Sequence, residues 1–250
     1  MNESNDKDTQ DDRGLLAMSP EKVIGRPFLK PLYGPPPYQY IDDVVALVAY
    51  RADRAAIREV LPEQVVPSPD NMVVVGFFVC PEVTGIGPHT FTIMTIPVEY
   101  KATPYHFCTY LYTSTDASLA CYREVHGWPG VMGSTEITSN GDQFRARVVR
   151  DGHEIIAAEG KVGGEMITSI GFPVLIYKEI PSHDGKRADV AQFVASTSLV
   201  TNVKMHAGTE GRIRISGATG DPIARLQPLE ILQVTYGTLD DLYPETIQVV

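Results

Sequence analysis

Cysteine and basic residues are scarce in this sequence, and each shortage excludes a class of protein. The three cysteines are spread over Cys80, Cys108 and Cys121, an odd number that forms no disulfide framework, and none has the CxxC spacing of a zinc site. Lys and Arg number 21 against 31 Asp and Glu, so the formal net charge is −10. This charge argues against nucleic acid or an anionic membrane as a partner, because both require a basic face.

Long hydrophobic runs are also missing. No apolar segment approaches the roughly 20 residues of a transmembrane helix, and the polar N-terminus lacks the apolar region of a secretory signal. We therefore expect a cytoplasmic protein with no membrane partner. Residues 1–18 carry many charges and almost no apolar side chains, which predicts a disordered acidic tail. Residues 19–250 are predicted to form a single domain.

What the sequence does contain is a long series of β-branched and aromatic runs bounded by Gly, Pro, Asn or Asp. A proline-rich arm precedes them at residues 26–40, where proline disfavours a helix or a central strand. The predicted strands are Val44–Tyr50, Met72–Cys80, Thr90–Tyr100, His106–Thr113, Phe144–Arg150, Glu154–Ala158, Val174–Ile180, Phe193–Val203, Arg212–Ile215 and Leu229–Tyr236. The pattern is typical of a mainly β (α+β) protein whose sheet is mostly antiparallel.

Two short helices interrupt the strands. Asp53 is placed as an N-cap before an apolar-periodic segment that ends before Pro62. The second helix is predicted over residues 118–125, after Asp116 as the possible N-cap, and it leads into a Gly-Trp-Pro turn.

The stretch Cys121–Gly133, CYREVHGWPGVMG, resembles the active-site loop of the acetoacetate decarboxylase family. It shares the family's Arg-Glu pair (Arg123 and Glu124), a turn of an aromatic residue and proline, and a following glycine. Further resemblances occur in the family's order across about residues 27–240, at YRAD, LPE, PEVTGIG, IPV, IPSHDG and LQPLEIL. The resemblance implies the family's antiparallel β-barrel-like fold with a few short helices, and assembly into a homo-oligomer.

The family's chemistry is expected to have changed. In the family the two residues after the proline are lysines, the first of which forms a Schiff base with the ketone; here they are Gly130 and Val131. By alignment, the family's N-terminal active-site arginine falls at Asp43, and its two glutamates fall at Gly76 and Phe91. Replacement of the whole polar set predicts that any reaction runs without an imine. The remaining lysines of the folded part are interpreted as surface residues; they are Lys101, Lys161, Lys178, Lys186 and Lys204.

The candidate catalytic residues are Glu124, His126 and Tyr112. Glu124 and His126 flank the loop and offer a carboxylate and an imidazole for proton transfer, although a structural ion pair or a helix cap explains them equally. The candidate substrate-binding residues are Trp128, Arg123, Phe91, His89, Tyr110, Asp43, Gly76 and Gly130. His89 and Phe91 lie two apart on one strand, as do Tyr110, Tyr112 and Cys108, and each set is expected to share a face.

The functional hypothesis is a lyase that acts on a small keto acid or polyketide-like carbonyl compound by enolate-type acid/base chemistry. Decarboxylation, dehydration, aldol-type cleavage and cyclisation all stay open. The alternative is a non-catalytic small-molecule-binding protein on the same fold. The histidines show no metal-ligand spacing and no phosphate-binding loop occurs, so no metal and no cofactor are predicted.

Overall fold

The computed structural model describes residues 27, 29–171, 173–217, 222–243 and 248–250, and the predicted tail at residues 1–18 lies outside them. The strands are β1 (Tyr38–Arg51), β2 (Val66–Pro67), β3 (Met72–Cys80), β4 (Glu82–Val83), β5 (His89–Tyr100), β6 (Thr103–Thr113), β7 (Gly130–Met132), β8 (Ser134–Asn140), β9 (Gln143–Arg150), β10 (His153–Lys161), β11 (Met166–Ile167), β12 (Val174–Pro181), β13 (Ala188–Ser196), β14 (Leu199–Gly208), β15 (Glu210–Ile215), β16 (Glu230–Tyr243) and β17 (Gln248–Val249). The helical segments are α1 (Arg54–Glu59), α2 (Asp116–Cys121), a π-helical turn (Tyr122–His126) and a 3₁₀ turn (Pro222–Arg225). The mainly β, α+β class is confirmed.

Two sheets make up the molecule. The large sheet has the order β11-β14-β16-β1-β3-β5-β6-β12-β13-β17, with β2, β4 and β7 paired at its margins, and the small sheet has the order β15-β10-β9-β8. Pairing is antiparallel except for β6 with β7 and β6 with β12. No pairing between β11 and β17 joins the ends of the large sheet within the described ranges, so the described strands do not form a closed barrel.

The central strands of the large sheet are covered on both faces. One face packs against the small sheet and forms the main hydrophobic core, which includes Val48, Val75, Phe77, Phe144 and Val148. The opposite face carries smaller apolar clusters and surrounds a cavity. Burial on both faces explains why β3 reads MVVVGFFVC rather than alternating apolar and polar residues.

Side-chain N-caps determine where the two α-helices begin. The carboxylate of Asp53 accepts from the backbone N–H groups of Ala55 and Ala56, as predicted for this N-cap. At α2 the cap is Thr115, whose hydroxyl accepts from the N–H of Ser118, and Asp116 is the first helical residue instead. No helix in the described part of the chain is long and apolar enough to cross a membrane.

Several strand predictions differ from the structure: β1 and β16 extend beyond their predicted bounds, and the short strands β2, β4, β7, β11 and β17 are not predicted. The predicted strand Phe193–Val203 is divided between β13 and β14, with a break at residues 197–198. Strand β8, STEITSN, was missed because its residues are mostly polar and exposed, and the alternation that marks a half-buried strand is weak there. The three cysteines are free and buried, in agreement with the absence of a disulfide framework.

Candidate active site

A cavity of about 130 Å³ lies on the face of the large sheet that is turned away from the small sheet. Strands β1, β3, β5, β6, β12, β14 and β16 all contribute side chains to its lining, and the π-helical turn adds Tyr122. Most of the lining is aliphatic or aromatic, as at Leu47, Phe78 and Phe91. Asp43 and Asp241 are the charged groups among the described residues that line it.

A β-bulge places Asp43 in the cavity. Tyr40 pairs with Asp241 and Asp43 pairs with Leu239, so β1 has one residue more than β16 between these pairs. Asp42 adopts φ 57°, a conformation that Asp tolerates better than most residues, and its N–H donates to the Asp240 carboxylate at 2.8 Å. The bulge changes the strand's alternation, and Tyr40 and Asp43 therefore both reach the cavity although they are three residues apart.

Asp43 is buried and Asp241 is half-buried, and the hydrogen bonding of both carboxyl groups is incomplete. Asp43 is 1% exposed, and one oxygen of each carboxyl, Oδ1, has no hydrogen-bond partner within the protein. Burial raises the pKa of Asp43 to about 7, against a smaller lowering by a hydrogen bond with Cys80, and the charge of Asp241 raises it further. Burial likewise raises the pKa of Asp241 to about 6. Both groups therefore change protonation close to neutral pH.

Trp128 supplies a hydrogen-bond donor to the lining of the cavity. The π-helical turn ends at Gly127, whose φ of 79° lies in the left-handed region, and the Trp128 backbone N–H then donates to the Tyr122 carbonyl at 2.9 Å. This turn directs the indole into the cavity, where Trp128 is 6% exposed. The indole Nε1 makes no hydrogen bond of ordinary geometry within the protein. Burial raises the pKa of Tyr243, and the nearby Trp128 N–H is the smallest of the influences that lower it, so the two groups are close. A ligand oxygen of better geometry can therefore accept from this N–H.

A chain of hydroxyl groups leads from the cavity to His89. The Tyr40 and Tyr122 hydroxyls are 3.1 Å apart, and the Tyr122 hydroxyl is 2.7 Å from Nε2 of His89. Nδ1 of His89 lies 2.9 Å from the carbonyl oxygen of Gly87, which can only accept, so Nδ1 carries the proton and Nε2 accepts from Tyr122. Burial lowers the pKa of His89, which keeps the ring neutral at neutral pH. His89 is thus linked to the cavity by its hydrogen bond with Tyr122.

The predicted catalytic groups Glu124 and His126 lie behind the cavity wall and are not among its lining residues. Glu124 accepts a 2.5 Å hydrogen bond from the hydroxyl of Tyr33 and so joins the loop to the proline-rich arm. His126 is 1% exposed, packs edge-on against the Tyr243 ring at 4.7 Å, and has no hydrogen-bond partner on either ring nitrogen. Burial, aided by the charge of Lys178, lowers its pKa to about 4.

Lys178 corrects a prediction, because it is not a free surface lysine. Its Nζ donates to the backbone carbonyls of Glu124 and Val125, both at 2.8 Å. These carbonyls belong to the π-helical turn, so the ammonium group caps that turn. Partial burial lowers the pKa of Lys178. The lysine holds the loop and is not among the residues that line the cavity.

The structure brings together only part of the predicted set. Asp43, Gly76, Phe91 and Trp128 line the cavity, and His89 reaches it through Tyr122. The residues that lie outside its lining are Glu124, His126, Arg123, Gly130, Tyr110 and Tyr112. Arg123 donates to the Gly130 carbonyl at 3.2 Å and so closes the loop on itself.

The expected shared face of Cys108, Tyr110 and Tyr112 is wrong. Met94 pairs with Tyr110 while Thr95 pairs with Cys108, so Thr109 is an extra residue in β6. Tyr110 and Tyr112 stack on each other in the main core, whereas Cys108 packs with Tyr122 and Trp128 on the cavity side. Leu111 is the residue of this segment that lines the cavity.

Sequence reasoning missed several lining groups. Asp241 follows Asp240 at the end of β16, and two adjacent aspartates indicate a solvent-exposed segment. The predicted strand therefore ends at Tyr236, before both of them. Tyr40 was assigned to the proline-rich arm. Residues 237–243, GTLDDLY, do not alternate apolar and polar side chains, so no periodic signal extends the strand to Asp241 and Tyr243. The described residues contain no group of three His, Cys, Asp or Glu side chains that could hold a metal ion.

Comparison with known proteins agrees with this architecture. The acetoacetate decarboxylase family model matches residues 27–247. An acetoacetate decarboxylase of Burkholderia cenocepacia (strain HI2424) is 27% identical over 237 residues, which cover 89% of this chain and 94% of that protein.

Two solved structures share the fold. The crystal structure of acetoacetate decarboxylase from Legionella pneumophila has a TM-score of 0.80 and 23% identity, covering 88% of this chain and 89% of its own. The enduracididine biosynthesis enzyme MppR, solved with the condensation product of pyruvate and imidazole 4-carboxaldehyde, has a TM-score of 0.75 and 18% identity, covering 90% and 95%.

Proposed function

This chain belongs to the acetoacetate decarboxylase family, and we propose that it is a lyase acting on a small carbonyl compound through an enolate, without an imine. The curated relatives are named acetoacetate decarboxylases, which supports an enzyme of lyase type. Decarboxylation, dehydration, aldol-type cleavage and cyclisation of a keto acid or polyketide-like carbonyl compound all pass through such an enolate.

One observation carries the proposal. Three buried polar atoms that have no partner in the protein belong to residues lining the same cavity: Oδ1 of Asp43, Oδ1 of Asp241 and Nε1 of Trp128. A buried polar group without a hydrogen bond costs about 1–3 kcal/mol. A bound ligand that offers a carbonyl oxygen to the indole and a hydrogen-bond donor to a carboxyl group satisfies these atoms. The cavity is therefore suited to a carbonyl ligand.

The roles follow from geometry and charge. Asp43, with its pKa raised by burial to about 7, is poised to take up or release a proton near neutral pH, which suits a general base for a proton next to the carbonyl. The Trp128 N–H stabilises the enolate oxygen as negative charge develops on it. Phe91 and Gly76 shape the apolar wall around the substrate's carbon chain. Glu124, His126 and Arg123 hold the loop that carries Trp128.

The residues around the cavity support chemistry without an imine. No lysine occurs among the described residues of the lining, and Gly130 and Val131 stand at the positions of the family's lysines. The Lys178 ammonium is engaged by two backbone carbonyls. Loss of a proton from Lys178 would replace both charge-assisted hydrogen bonds to the turn by weaker hydrogen bonds from a neutral amine, so these contacts favour the ammonium form.

Proton exchange tests the proposal directly. We expect the protein to speed the exchange, in heavy water, of the protons next to the carbonyl group of 2-pentanone. Proton NMR measures the rate of this exchange. Asp43→Asn should reduce the enzyme-dependent rate by about a hundredfold or more. The exposed Asp42→Asn substitution on the same strand is the matched control and should retain the rate.

Borohydride trapping separates the enolate from the imine route. Treatment with 2-pentanone, and separately with acetoacetate or pyruvate, each together with borohydride, should leave every lysine unmodified in the mass spectrum. A stoichiometric lysine adduct would refute the absence of an imine. The apolar lining favours one second candidate, a non-catalytic binding protein, which predicts ligand binding with no exchange above the rate in buffer.

A further inference from the structure

The charge of the cavity is of one sign. Asp43 and Asp241 are its ionisable acids apart from the tyrosines, and no Lys, Arg or His occurs among the described residues that line it. A site that binds a free carboxylate ordinarily presents a cation or a cluster of N–H donors to it. Here the lining residues supply one N–H without an ordinary hydrogen bond, that of Trp128, and two carboxyl oxygens without partners. The charge that the lining presents to a ligand is therefore opposite to that of a site that binds a carboxylate.

We propose that Asp43 and Asp241 act together as a carboxyl pair that restricts the cavity to uncharged carbonyl compounds carrying a hydroxyl or enol O–H, and that excludes free carboxylates. This inference rests on the proposed function in one respect, namely that the ligand is a carbonyl compound. It adds that Asp241 determines specificity and that the substrate is uncharged.

Geometry brings the pair to one ligand. The two residues lie on adjacent strands, Asp43 opposite Leu239 and Asp241 opposite Tyr40, on either side of the bulge, and both line the cavity. Each retains one unpaired oxygen, which requires a donor because a carboxylate can only accept. A ligand O–H meets this need, and a ligand carbonyl oxygen on the same molecule meets the Trp128 N–H. A ligand carboxylate has no hydrogen-bond donor to offer to either carboxyl group.

The groups that face the pair do not neutralise it. Cys80 hydrogen-bonds with Asp43, and Ser198 hydrogen-bonds with Asp241. Tyr243 lies close to Asp241, and burial raises the pKa of Tyr243, so its hydroxyl stays uncharged. Beyond the cavity, Asp240 adds negative charge, and Lys204 lies close enough to act on Asp240. At an effective dielectric constant of about 20, one carboxylate a few ångströms away disfavours a ligand carboxylate by on the order of a hundredfold.

Size narrows the substrate further. The cavity volume of about 130 Å³ is close to that of the engineered ~150 Å³ apolar cavity that accepts benzene. A carbonyl compound with a short carbon chain fits this volume, and a long polyketide chain does not. The inferred substrate class is therefore a small β-hydroxy ketone or an enolisable diketone.

Acetylacetone and acetoacetate test this inference, because they have the same number of non-hydrogen atoms and differ by a methyl group in place of a carboxylate oxygen. Their dissociation constants are measured by calorimetry on the full-length protein at pH about 8, where both carboxyl groups are ionised in large part. We expect acetylacetone to bind at least about tenfold more tightly than acetoacetate. Equal or tighter binding of acetoacetate overturns the inference, and so does the absence of binding by acetylacetone.

Variants identify the pair as the cause. Asp241→Asn and Asp43→Asn should each reduce the preference for acetylacetone by about tenfold to about a hundredfold, while the exposed control Asp42→Asn should leave it unchanged. An unchanged preference in folded Asp241→Asn refutes the role of Asp241. If either variant does not fold by circular dichroism, the wild-type comparison still decides the charge preference. Exchange of 2-pentanone protons is measured on the same samples. If the protein does not speed this exchange but still prefers acetylacetone, the enolate reaction alone is refuted. If the protein speeds the exchange but prefers acetoacetate, the role of the carboxyl pair alone is refuted.

Discussion

Replacing Asp43 by Asn should change how the stability of the protein depends on pH. Asp43 is 1% exposed, and burial raises its pKa from 3.8 to about 7. The native protein therefore keeps a proton on this carboxyl group over a pH range in which the unfolded chain has released it. Because folding takes up a proton in that range, the free energy of unfolding decreases as the pH rises from about 4 to about 7.

The magnitude follows from the two pKa values. One pKa unit corresponds to about 1.4 kcal/mol, so the rise from 3.8 to about 7 makes the buried carboxylate cost about 4 kcal/mol once the pH exceeds the native value. Asn has nearly the same shape and does not ionise. The stability of Asp43→Asn relative to wild type should therefore increase by about 3 kcal/mol between pH about 5 and pH about 8.

Urea denaturation followed by tryptophan fluorescence measures this difference, because Trp128 is the single tryptophan and lies in the same cavity. An offset that is constant with pH reflects the amide's own hydrogen bonding, which costs about 1–3 kcal/mol where a buried N–H is unsatisfied. Only the change in relative stability with pH reports the ionisation of the Asp43 carboxyl group. A relative stability that stays flat between these pH values, or that falls with rising pH, refutes the buried, unpaired state of Asp43.

Three further changes test the loop and the cavity wall. Lys178→Met removes the donor to two carbonyls of the π-helical turn and should cost about 2–3 kcal/mol in urea denaturation; no loss of stability would contradict the capping role. His126 has its pKa lowered to about 4 by burial, so its contribution to stability is lost as the pH falls from about 6.5, and His126→Phe should gain about 2 kcal/mol over wild type on going from pH about 7.5 to pH about 5. The same denaturation series checks this gain, which has the opposite sign to that of Asp43→Asn. Gly76→Ala places a Cβ atom 2.8 Å from Phe78 and should reduce acetylacetone affinity about tenfold in calorimetry by narrowing the cavity, whereas unchanged affinity would put the ligand elsewhere.

Much of the fold could be predicted because its strands obey short-range rules. Predicted strand Met72–Cys80 matches β3 residue for residue, and the N-cap at Asp53 lies where the sequence predicts it. Both features depend on side chains close in sequence. The family loop also supplied Trp128, which lines the cavity, because a Gly-Trp-Pro turn has few conformations to choose from.

The prediction was less successful for the site, and bulges are the main cause. A single extra residue at Asp42 or at Thr109 changes which side chains of a strand face the cavity. Tyr110 and Tyr112 were expected to share a face with Cys108, and the bulge at Thr109 sends them into the main core instead. Such an irregularity depends on the partner strand, so it leaves no periodic signal in its own strand.

The sequence by itself determines the β-rich class, the order of most strands, the family and the replacement of the family's lysines by Gly130 and Val131. These follow from residue type and local order alone. The tertiary structure decides that Asp43 and Asp241, distant in the chain, lie on adjacent strands and line one cavity, and that Glu124, His126 and Lys178 support the loop behind it. The physical reason is that the burial and hydrogen bonding of a side chain depend on neighbours brought together by long-range strand pairing, and these set its charge and its availability to a ligand.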